Sequence, residues 1–416
     1  MRTTSIVLVA CASLGLLLWC GCVGQNLAGA TSETTNGRLS GKVTLSDGTA
    51  AQGGTVRVIE DTAWLSKITY GKSVSVGSAV IDDSGRFSVL VPLTRTINLQ
   101  IDCGDEARFL QGAEKMFDTN AATAVRDFTL APHASVTGTA TAVDGTAKQV
   151  RLAGTAYAAA LNADGSYAFP SVAAGAFAIV AQVEQAAGLN VSLVNSIELS
   201  AGQQAAGLAL RVYPDRVLVD DFSTGFGRTA LGRVLGDGAW YTTSDSIAGG
   251  GSNVTVSVTL DSSGRSGRCI RAIYALDSSV ADPWAVCGFD VGTSLSGSAY
   301  DFSGLTAVSF VAKGRGTVQV TLLSRIIRQL YRDSAQYCFS VNVPAAWTQI
   351  TIPVDSLRLP SNAPDALRNI TWQQAAREIQ TMDFTVESPY TPGGDTVEFW
   401  LDDVAFEGIS LEDLKR

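Results

Sequence analysis

Short runs of β-branched and aromatic residues alternate with polar residues along most of the chain. The runs recur about every 8–12 residues and are separated by Gly, Asp, Asn and Ser, as strands of sandwiches and barrels are. Examples are Val56–Ile59, Phe87–Val91 and Ile97–Ile101. A helical period is weak except near Trp372–Ile379. The pattern predicts an all-β protein.

The amino terminus has a different pattern, in which Arg2 precedes one apolar run from Ile6 to Trp19. A positive start and a short apolar run are typical of a secretory signal, and a membrane span needs about 20 apolar residues. The ending Cys20-Gly21-Cys22 resembles a bacterial lipobox, in which the signal is cut before a cysteine that is then lipidated. Cleavage before Cys20 and an ordinary cleaved signal are the alternatives.

The lipobox resemblance implies a signal peptide over 1–21, a lipid on Cys22 and a flexible tether over 22–36. Several acyl chains would anchor the chain firmly in a membrane. The residue after Cys22 is Val23, and not the aspartate that retains some lipoproteins at the inner membrane. The expected location is therefore the cell surface, on the outer membrane.

Two segments of the chain repeat each other. Gly41–Ala50 parallels Gly138–Ala147, with an Asp-Gly turn in each, and Asp83–Phe87 parallels Ala163–Tyr167. Glycine supplies the positive φ that such turns need. The segments resemble carboxypeptidase regulatory-like (transthyretin-like) domains, which implies two small immunoglobulin/transthyretin-like β-sandwiches. We expect structural units over 37–130 and 131–212, with a linker beginning at Tyr213-Pro214.

The last 200 residues contain five of the seven tryptophans and about ten predicted strands, which suits a jelly roll over 213–410. The predicted strands include 217–222, 254–260, 268–275, 284–289, 305–312, 317–323, 336–343, 347–353, 380–387 and 396–406. Four ordered motifs carry a resemblance: Val217–Phe222, Asp301–Phe310, Trp347–Pro353 and Phe399–Phe406. Together they resemble the galactose-binding-like jelly roll of carbohydrate-binding module family 11, which is similar to the CIA30-like domains. The resemblance implies a non-catalytic polysaccharide-binding domain.

The first and last predicted strands of this jelly roll each carry an Asp-Asp pair. Adjacent strand residues face opposite sides, so one aspartate per pair can join a shared site. Carboxylate oxygens favour a hard cation, and family members resembling this chain hold structural calcium there. Asp220 and Asp402 are the predicted Ca²⁺ ligands; two solvated strand ends without a metal are the alternative.

Sugars bind flat aromatic rings and nearby polar groups. The family resemblance implies that Tyr241, Trp284 and Phe339 line the sugar-binding groove. Trp284 lies where the family carries Tyr-Trp, with Pro283 in place of the tyrosine, and Phe339 lies where the family has a groove tyrosine. For Tyr241 and Trp284 a place in the core is the alternative, and Trp347 and Trp400 are expected in the core. Hydrogen bonds to sugar hydroxyls are expected from residues just before the strand of Phe339, namely Arg328, Tyr331, Arg332 and Asp333.

Charge and composition exclude several function classes. Lys and Arg number 30 against 39 Asp and Glu, so the net charge is −9, and no basic run suggests nucleic-acid binding. His133 is the only histidine, and no nucleophile elbow, P-loop or His-Glu-x-x-His motif occurs. Cys269 and Cys287 flank a turn at mirrored distances, which leaves a cross-strand disulfide and two buried thiols as alternatives.

The sequence thus favours a surface lipoprotein in which two sandwiches hold a carbohydrate-binding jelly roll away from the membrane. The expected partner is a β-glucan-like polysaccharide. A structural or assembly protein, using the jelly roll for protein contacts without sugar binding, is the alternative. A hydrolase is the third hypothesis, which predicts that the protein releases reducing sugar from the polysaccharide.

Overall fold

The computed structural model describes residues 36–60, 75–118, 121–186, 188–235, 238–261, 267–291, 299–331, 335–361, 363–388, 391 and 396–414. The predicted signal peptide, Cys22 and nearly all of the predicted tether lie outside these ranges. Strands dominate the described residues, so the all-β prediction is confirmed. Within the described ranges, no helix has both the length and the apolar character needed to cross a membrane.

In its described residues, the first sandwich contains nine strands, of which β1, β4, β7 and β8 form one sheet and the others form a second. Its core includes Leu39, Val58, Val89 and Leu99. The strands are β1 Asn36–Thr44, β2 Thr55–Glu60, β3 Ser75–Val80, β4 Arg86–Pro92, β5 Ile97–Cys103, β6 Glu106–Leu110, β7 Thr123–Val125, β8 Phe128–Thr129 and β9 Ala131–Pro132.

The second sandwich repeats the topology of the first. β1 pairs antiparallel with β4 and parallel with β7, and β10 pairs antiparallel with β13 and parallel with β16. The repeated turns also match, since Gly48 and Gly145 have φ of 86° and 85°. The strands are β10 Ala134–Ala142, β11 Thr146–Leu152, β12 Ala158–Ala160, β13 Ser166–Val172, β14 Gly175–Gln185, β15 Gly188–Leu199 and β16 Gln204–Val212.

The third unit is a jelly roll of two facing antiparallel sheets. The six-stranded sheet has the order β19-β20-β27-β22-β25, with β17 also paired to β27, and the five-stranded sheet has the order β18-β21-β26-β23-β24. The strands are β17 Arg216–Asp220, β18 Trp240–Ser244, β19 Asn253–Leu260, β20 Arg268–Ala275, β21 Trp284–Asp290, β22 Ala307–Arg315, β23 Thr317–Ser324, β24 Tyr337–Asn342, β25 Thr348–Pro353, β26 Ile379–Glu387 and β27 Thr396–Glu407.

In the part of the chain that the structure describes, helices are few and short. The helical period near Trp372–Ile379 corresponds to α3, whereas α1 and α2 were not expected from the sequence. The helices are α1 Ala230–Leu235, α2 Arg325–Tyr331 and α3 Trp372–Ala375, and 3₁₀ turns occupy Ala113–Met116, Asp245–Ala248, Val354–Ser356, Asp365–Asn369 and Ala376–Glu378.

The junction between the second sandwich and the jelly roll is tight. β16 ends at Val212 and β17 begins at Arg216, and one buried apolar cluster contains residues of both units, including Val180 and Leu231. The buried Asp221 accepts hydrogen bonds from the backbone N–H of Ser196, at 3.0 Å, and from its hydroxyl. The predicted linker at Tyr213-Pro214 is therefore a short, packed connection.

The two candidate disulfide cysteines remain thiols. Cys269 lies on β20 and Cys287 on β21, which belong to different sheets and are not hydrogen-bonded neighbours. Both side chains are buried. The cross-strand disulfide is therefore wrong, and the alternative of two buried thiols is confirmed.

Candidate functional site

The five-stranded sheet turns one face to the six-stranded sheet and the other away from it; the latter is called the outward face. β26 shows the alternation, because Met382, Phe384 and Val386 are buried in the shared core. The residues that alternate with them point outward and are all polar: Thr381, Asp383, Thr385 and Glu387. The outward face therefore has a polar floor.

Tyr241 lies on the outward face, in a row that runs across the sheet. It is paired with Gly288 of β21, which is paired in turn with Asp383 of β26. The Tyr241 hydroxyl donates a hydrogen bond to Asp383 Oδ1 at 2.5 Å. Burial, and then the charge of Asp383, raise the pKa of the Tyr241 hydroxyl far above its usual range. Tyr241 is thus a neutral, oriented ring beside a carboxylate.

Gly288 makes this arrangement sterically feasible. A Cβ at this position would overlap Asp383 Oδ1 and would lie 3.0 Å from Cζ and Oη of Tyr241. Only a residue without a side chain leaves the phenol and the carboxylate in contact across β21. Asp383 itself exposes 9% of its surface, so the pair lies in a recess of the outward face.

Trp284 lies on the same face as Tyr241, since it precedes Gly288 by four residues on β21. It is half-buried and is paired with Glu387 of β26, whose pKa is raised by burial. The backbone N–H of Trp284 is 3.3 Å from the carboxylate of Asp245, which also accepts bonds from Ser252. The loop of Asp245 therefore fixes the start of β21 and the place of the tryptophan.

Arg328 and Tyr331 lie on α2, directly after β23. Ile327 anchors this helix in a small apolar cluster with Leu367 and Ala375, and Tyr331 keeps 39% of its surface exposed. The structure places both residues beyond the end of the sheet and not in the row of Tyr241. Arg332 and Asp333 lie outside the described residues.

Phe339 does not lie on the outward face. It is paired with Val320, which is paired with Phe384, and both of these partners are fully buried. Phe339 is half-buried and packs against the same core. A place in the predicted groove is therefore not supported, because its side chain points to the six-stranded sheet.

The predicted calcium ligands are not brought together. β17 and β27 are neighbours as expected, but Asp220 points into the core, where Trp240 Nε1 donates to it at 2.8 Å and the N–H of Phe222 at 3.1 Å. Asp402 occupies the opposite side of the six-stranded sheet, in the row of Cys269 and Val311.

The environment of Asp220 also disfavours a cation. Burial, and then the nearby charge of Asp221, raise the pKa of Asp220 to about 7. Among the described residues, no three His, Cys, Asp or Glu side chains converge as metal ligands would. The pair Asp220 and Asp402 therefore does not fit a shared Ca²⁺ ion, and calcium binding by this chain stays a prediction from the sequence.

Trp347 and Trp400 were expected in the core but lie outside it. Trp400 is half-buried on the far side of the six-stranded sheet, with the Lys313 ammonium 4.4 Å from its ring centroid and the Arg271 guanidinium at 5.4 Å. The Trp347 centroid lies 5.0 Å from the same ammonium. Lys313 also pairs with Asp261 at 2.5 Å, so these rings shield a surface ion pair.

Asp383, Gly288 and Glu387 were missed at the level of sequence. The signal was present in Thr381, Asp383, Thr385 and Glu387, because a polar residue at every second position marks the exposed face of a strand. Gly288 inside an apolar strand signalled a close approach of other groups.

No family model matches the chain, and no curated protein matches it significantly. Among solved structures, it is similar to the family 11 carbohydrate-binding module of the cellulase Lic26A-Cel5E of Clostridium thermocellum (17% identity, 46% of this chain and 94% of that chain, TM-score 0.33). It is also similar to the family 11 module from Clostridium thermocellum in complex with a β-1,3-1,4-mixed-linked tetrasaccharide (18% identity, 47% of this chain and 96% of that chain, TM-score 0.34). A third similar structure is a family 30 carbohydrate-binding module (14% identity, 38% of this chain and 75% of that chain, TM-score 0.27).

Proposed function

We propose that the outward face of the five-stranded sheet binds a polysaccharide chain without cleaving it. The observation that carries the proposal is that Tyr241 and Trp284 lie on one face, with Asp383 in the row of Tyr241 and Glu387 opposite Trp284. Aromatic rings offer apolar area for the C–H face of a pyranose. The carboxylates can accept hydrogen bonds from its hydroxyls, and the threonines can accept or donate them.

The chemistry of the face favours an uncharged sugar. Asp383 and Glu387 are acidic, and the described residues of β18, β21 and β26 place no Lys or Arg on this face. A neutral, β-glucan-like chain avoids the like-charge repulsion that an acidic polysaccharide would meet. The mixed-linked glucan bound by the family 11 module supplies the first ligand to test.

The remaining parts of the proposal concern location. A lipid on Cys22 would tether the chain to the outer membrane, and the two sandwiches would stand between the lipid and the jelly roll. Labelling with a radioactive fatty acid in the native host, compared with Cys22→Ala, tests this step independently of sugar binding.

A retention assay on insoluble β-glucan tests the binding proposal. We expect the parent chain to be retained and Tyr241→Ala and Trp284→Ala to be lost into the supernatant. Leu90→Ala is the matched control, because Leu90 is an apolar side chain that is 52% exposed on the first sandwich.

Two other outcomes would favour the alternatives. Failure of the parent to bind any neutral glucan, with a host protein captured through Tyr241, would favour the assembly role. Release of reducing sugar from the bound glucan would show a hydrolase, which the proposal does not predict.

A further inference from the structure

β19 forms one end of the six-stranded sheet. Eight consecutive residue pairs join it to β20 without a bulge, from Asn253 with Ala275 to Leu260 with Arg268. Within the described ranges, β20 is the only strand hydrogen-bonded to it. Its other side therefore presents the backbone groups of a long, regular edge.

This edge has none of the features that usually prevent edge-to-edge association. Natural sheets protect their edges with charges, proline, bulges or very short strands. β19 has eight residues, Asn-Val-Thr-Val-Ser-Val-Thr-Leu, without a charge or a proline. Val258 is 40% exposed and Leu260 is 83% exposed, so the edge is also apolar. The opposite edge strand, β25, is shorter and ends at Pro353.

The sequence of β19 is complementary to itself in one antiparallel register. With Ser257 placed opposite Ser257 of a second copy, Val256 meets Val258, Thr255 meets Thr259 and Val254 meets Leu260. Each apolar residue then faces an apolar one and each hydroxyl faces a hydroxyl, and such cross-strand pairs stabilise a sheet. A two-fold axis perpendicular to the sheet generates this register and keeps the inner and outer faces continuous.

Charge is compatible with the same register. The chain carries a net charge of −9, which opposes association of two copies elsewhere on the surface. The first acidic residue after β19 is Asp261, and the register places it opposite Asn253 of the other copy and not opposite Asp261. The neutral edge therefore lets two acidic chains approach without a like-charge contact along the strand.

We propose that β19 is a homodimer interface, through which two copies join their six-stranded sheets edge to edge. The interface is isologous, as closed two-fold dimers require. It lies in the other sheet from the candidate sugar face, so a dimer would carry two such faces. The inference does not depend on the proposed function.

Engineered cysteines in the full chain test the register. Residues directly opposite in an antiparallel pair have Cα atoms about 4.5–5.5 Å apart, within the span of a disulfide. Under mild oxidation, Ser257→Cys is expected to form a covalent dimer, whereas Thr255→Cys alone is not, because its partner is Thr259. The double variant Thr255→Cys with Thr259→Cys should form the dimer again; it is made together with Cys269→Ala, because Thr259 Oγ1 lies 3.3 Å from Cys269 Sγ and a cysteine at 259 could otherwise pair within the chain. The parent chain, in which Cys269, Cys287 and Cys338 are buried and Cys103 is partly exposed, sets the background.

Sedimentation analysis tests the association itself. We expect a concentration-dependent dimer for the parent and a monomer for Leu260→Lys, which adds a charge at a side chain too exposed to disturb the core. A cooperative thermal transition of Leu260→Lys, at a melting temperature that does not depend on concentration, shows that the variant is a folded monomer. A monomeric parent at every concentration, or equal cross-linking of Ser257→Cys and Thr255→Cys, would overturn the proposal.

Discussion

Replacing Gly288 by alanine tests the proposed sugar face at its most constrained point. The added methyl would overlap Asp383 Oδ1 and press on the phenol of Tyr241. Both neighbours are held by their own strands, so the least costly response is for the Tyr241 hydroxyl and Asp383 to move apart. The substitution thereby removes a hydrogen bond without deleting either side chain.

The magnitude follows from the partners of that bond. A hydrogen bond to a charged group contributes about 1.5–3 kcal/mol, and this one lies in a recess. If sugar binds to the oriented pair, an affinity loss of about 10- to 150-fold is expected. Overpacking of a tight site costs about 1–3 kcal/mol of folding free energy, so a lower melting temperature should accompany the loss.

The assay is calorimetric titration with soluble mixed-linkage glucan below the melting temperature of each variant. Gly304→Ala is the control, because the nearest atom to its added methyl would be a side-chain carbon of Ile409 at an ordinary 3.4 Å. A double-mutant cycle of Tyr241→Phe and Asp383→Asn then measures the coupling of the pair. Parent-like affinity for a folded Gly288→Ala would refute the role of this pair in binding.

Three further outcomes are expected. The folded chain keeps the Asp220 proton up to a pKa of about 7, whereas an unfolded aspartate loses it near about 3.9, so unfolding releases a proton between these values. The free energy of unfolding attributable to Asp220 therefore falls as pH rises through this window, and urea titrations of the parent and Asp220→Asn should show a shallower fall for the variant. Ser196→Ala removes one donor from the buried Asp221 and should lower the free energy of unfolding by about 1.5–3 kcal/mol in the same titrations. Iodoacetamide should modify Cys269 and Cys287 only after unfolding, and a Cys269–Cys287 disulfide found by mass spectrometry would contradict the structure.

Most strands of the jelly roll were predictable because each buries only one face, so that apolar and polar residues alternate along it. Nearly every predicted strand lies within two residues of an observed one. β18 was missed although it carries Tyr241, since Trp240–Ser244 is short and follows a glycine-rich stretch. α1 and α2 were missed because helices of six or seven residues are too short to show a period.

The site was harder to predict because a shift of one residue along a strand moves a side chain to the other face of the sheet. Phe339 follows Cys338, which does lie on the outward face in the row of Tyr241 and Asp383. The Asp-Asp pair of β27 is displaced by a bulge, in which Asp403 is an extra residue with φ of 51°. No sequence pattern predicts such a bulge, so the face of the sheet on which Asp402 lies could not be assigned.

The contacts at the junction also bear on the proposed sugar face. Ser196 of the second sandwich bonds to Asp221, its neighbour Asp220 accepts from Trp240, and the next residue is Tyr241. Ser196, Asp220 and Asp221 are buried and Trp240 belongs to the apolar core, and close packing transmits small displacements along such a path to the residue next to Trp240. A second sandwich that merely spaced the jelly roll from a membrane would not need buried bonds of this kind. Measuring glucan affinity as well as stability for Ser196→Ala therefore separates a passive spacer from a unit that positions the aromatic face.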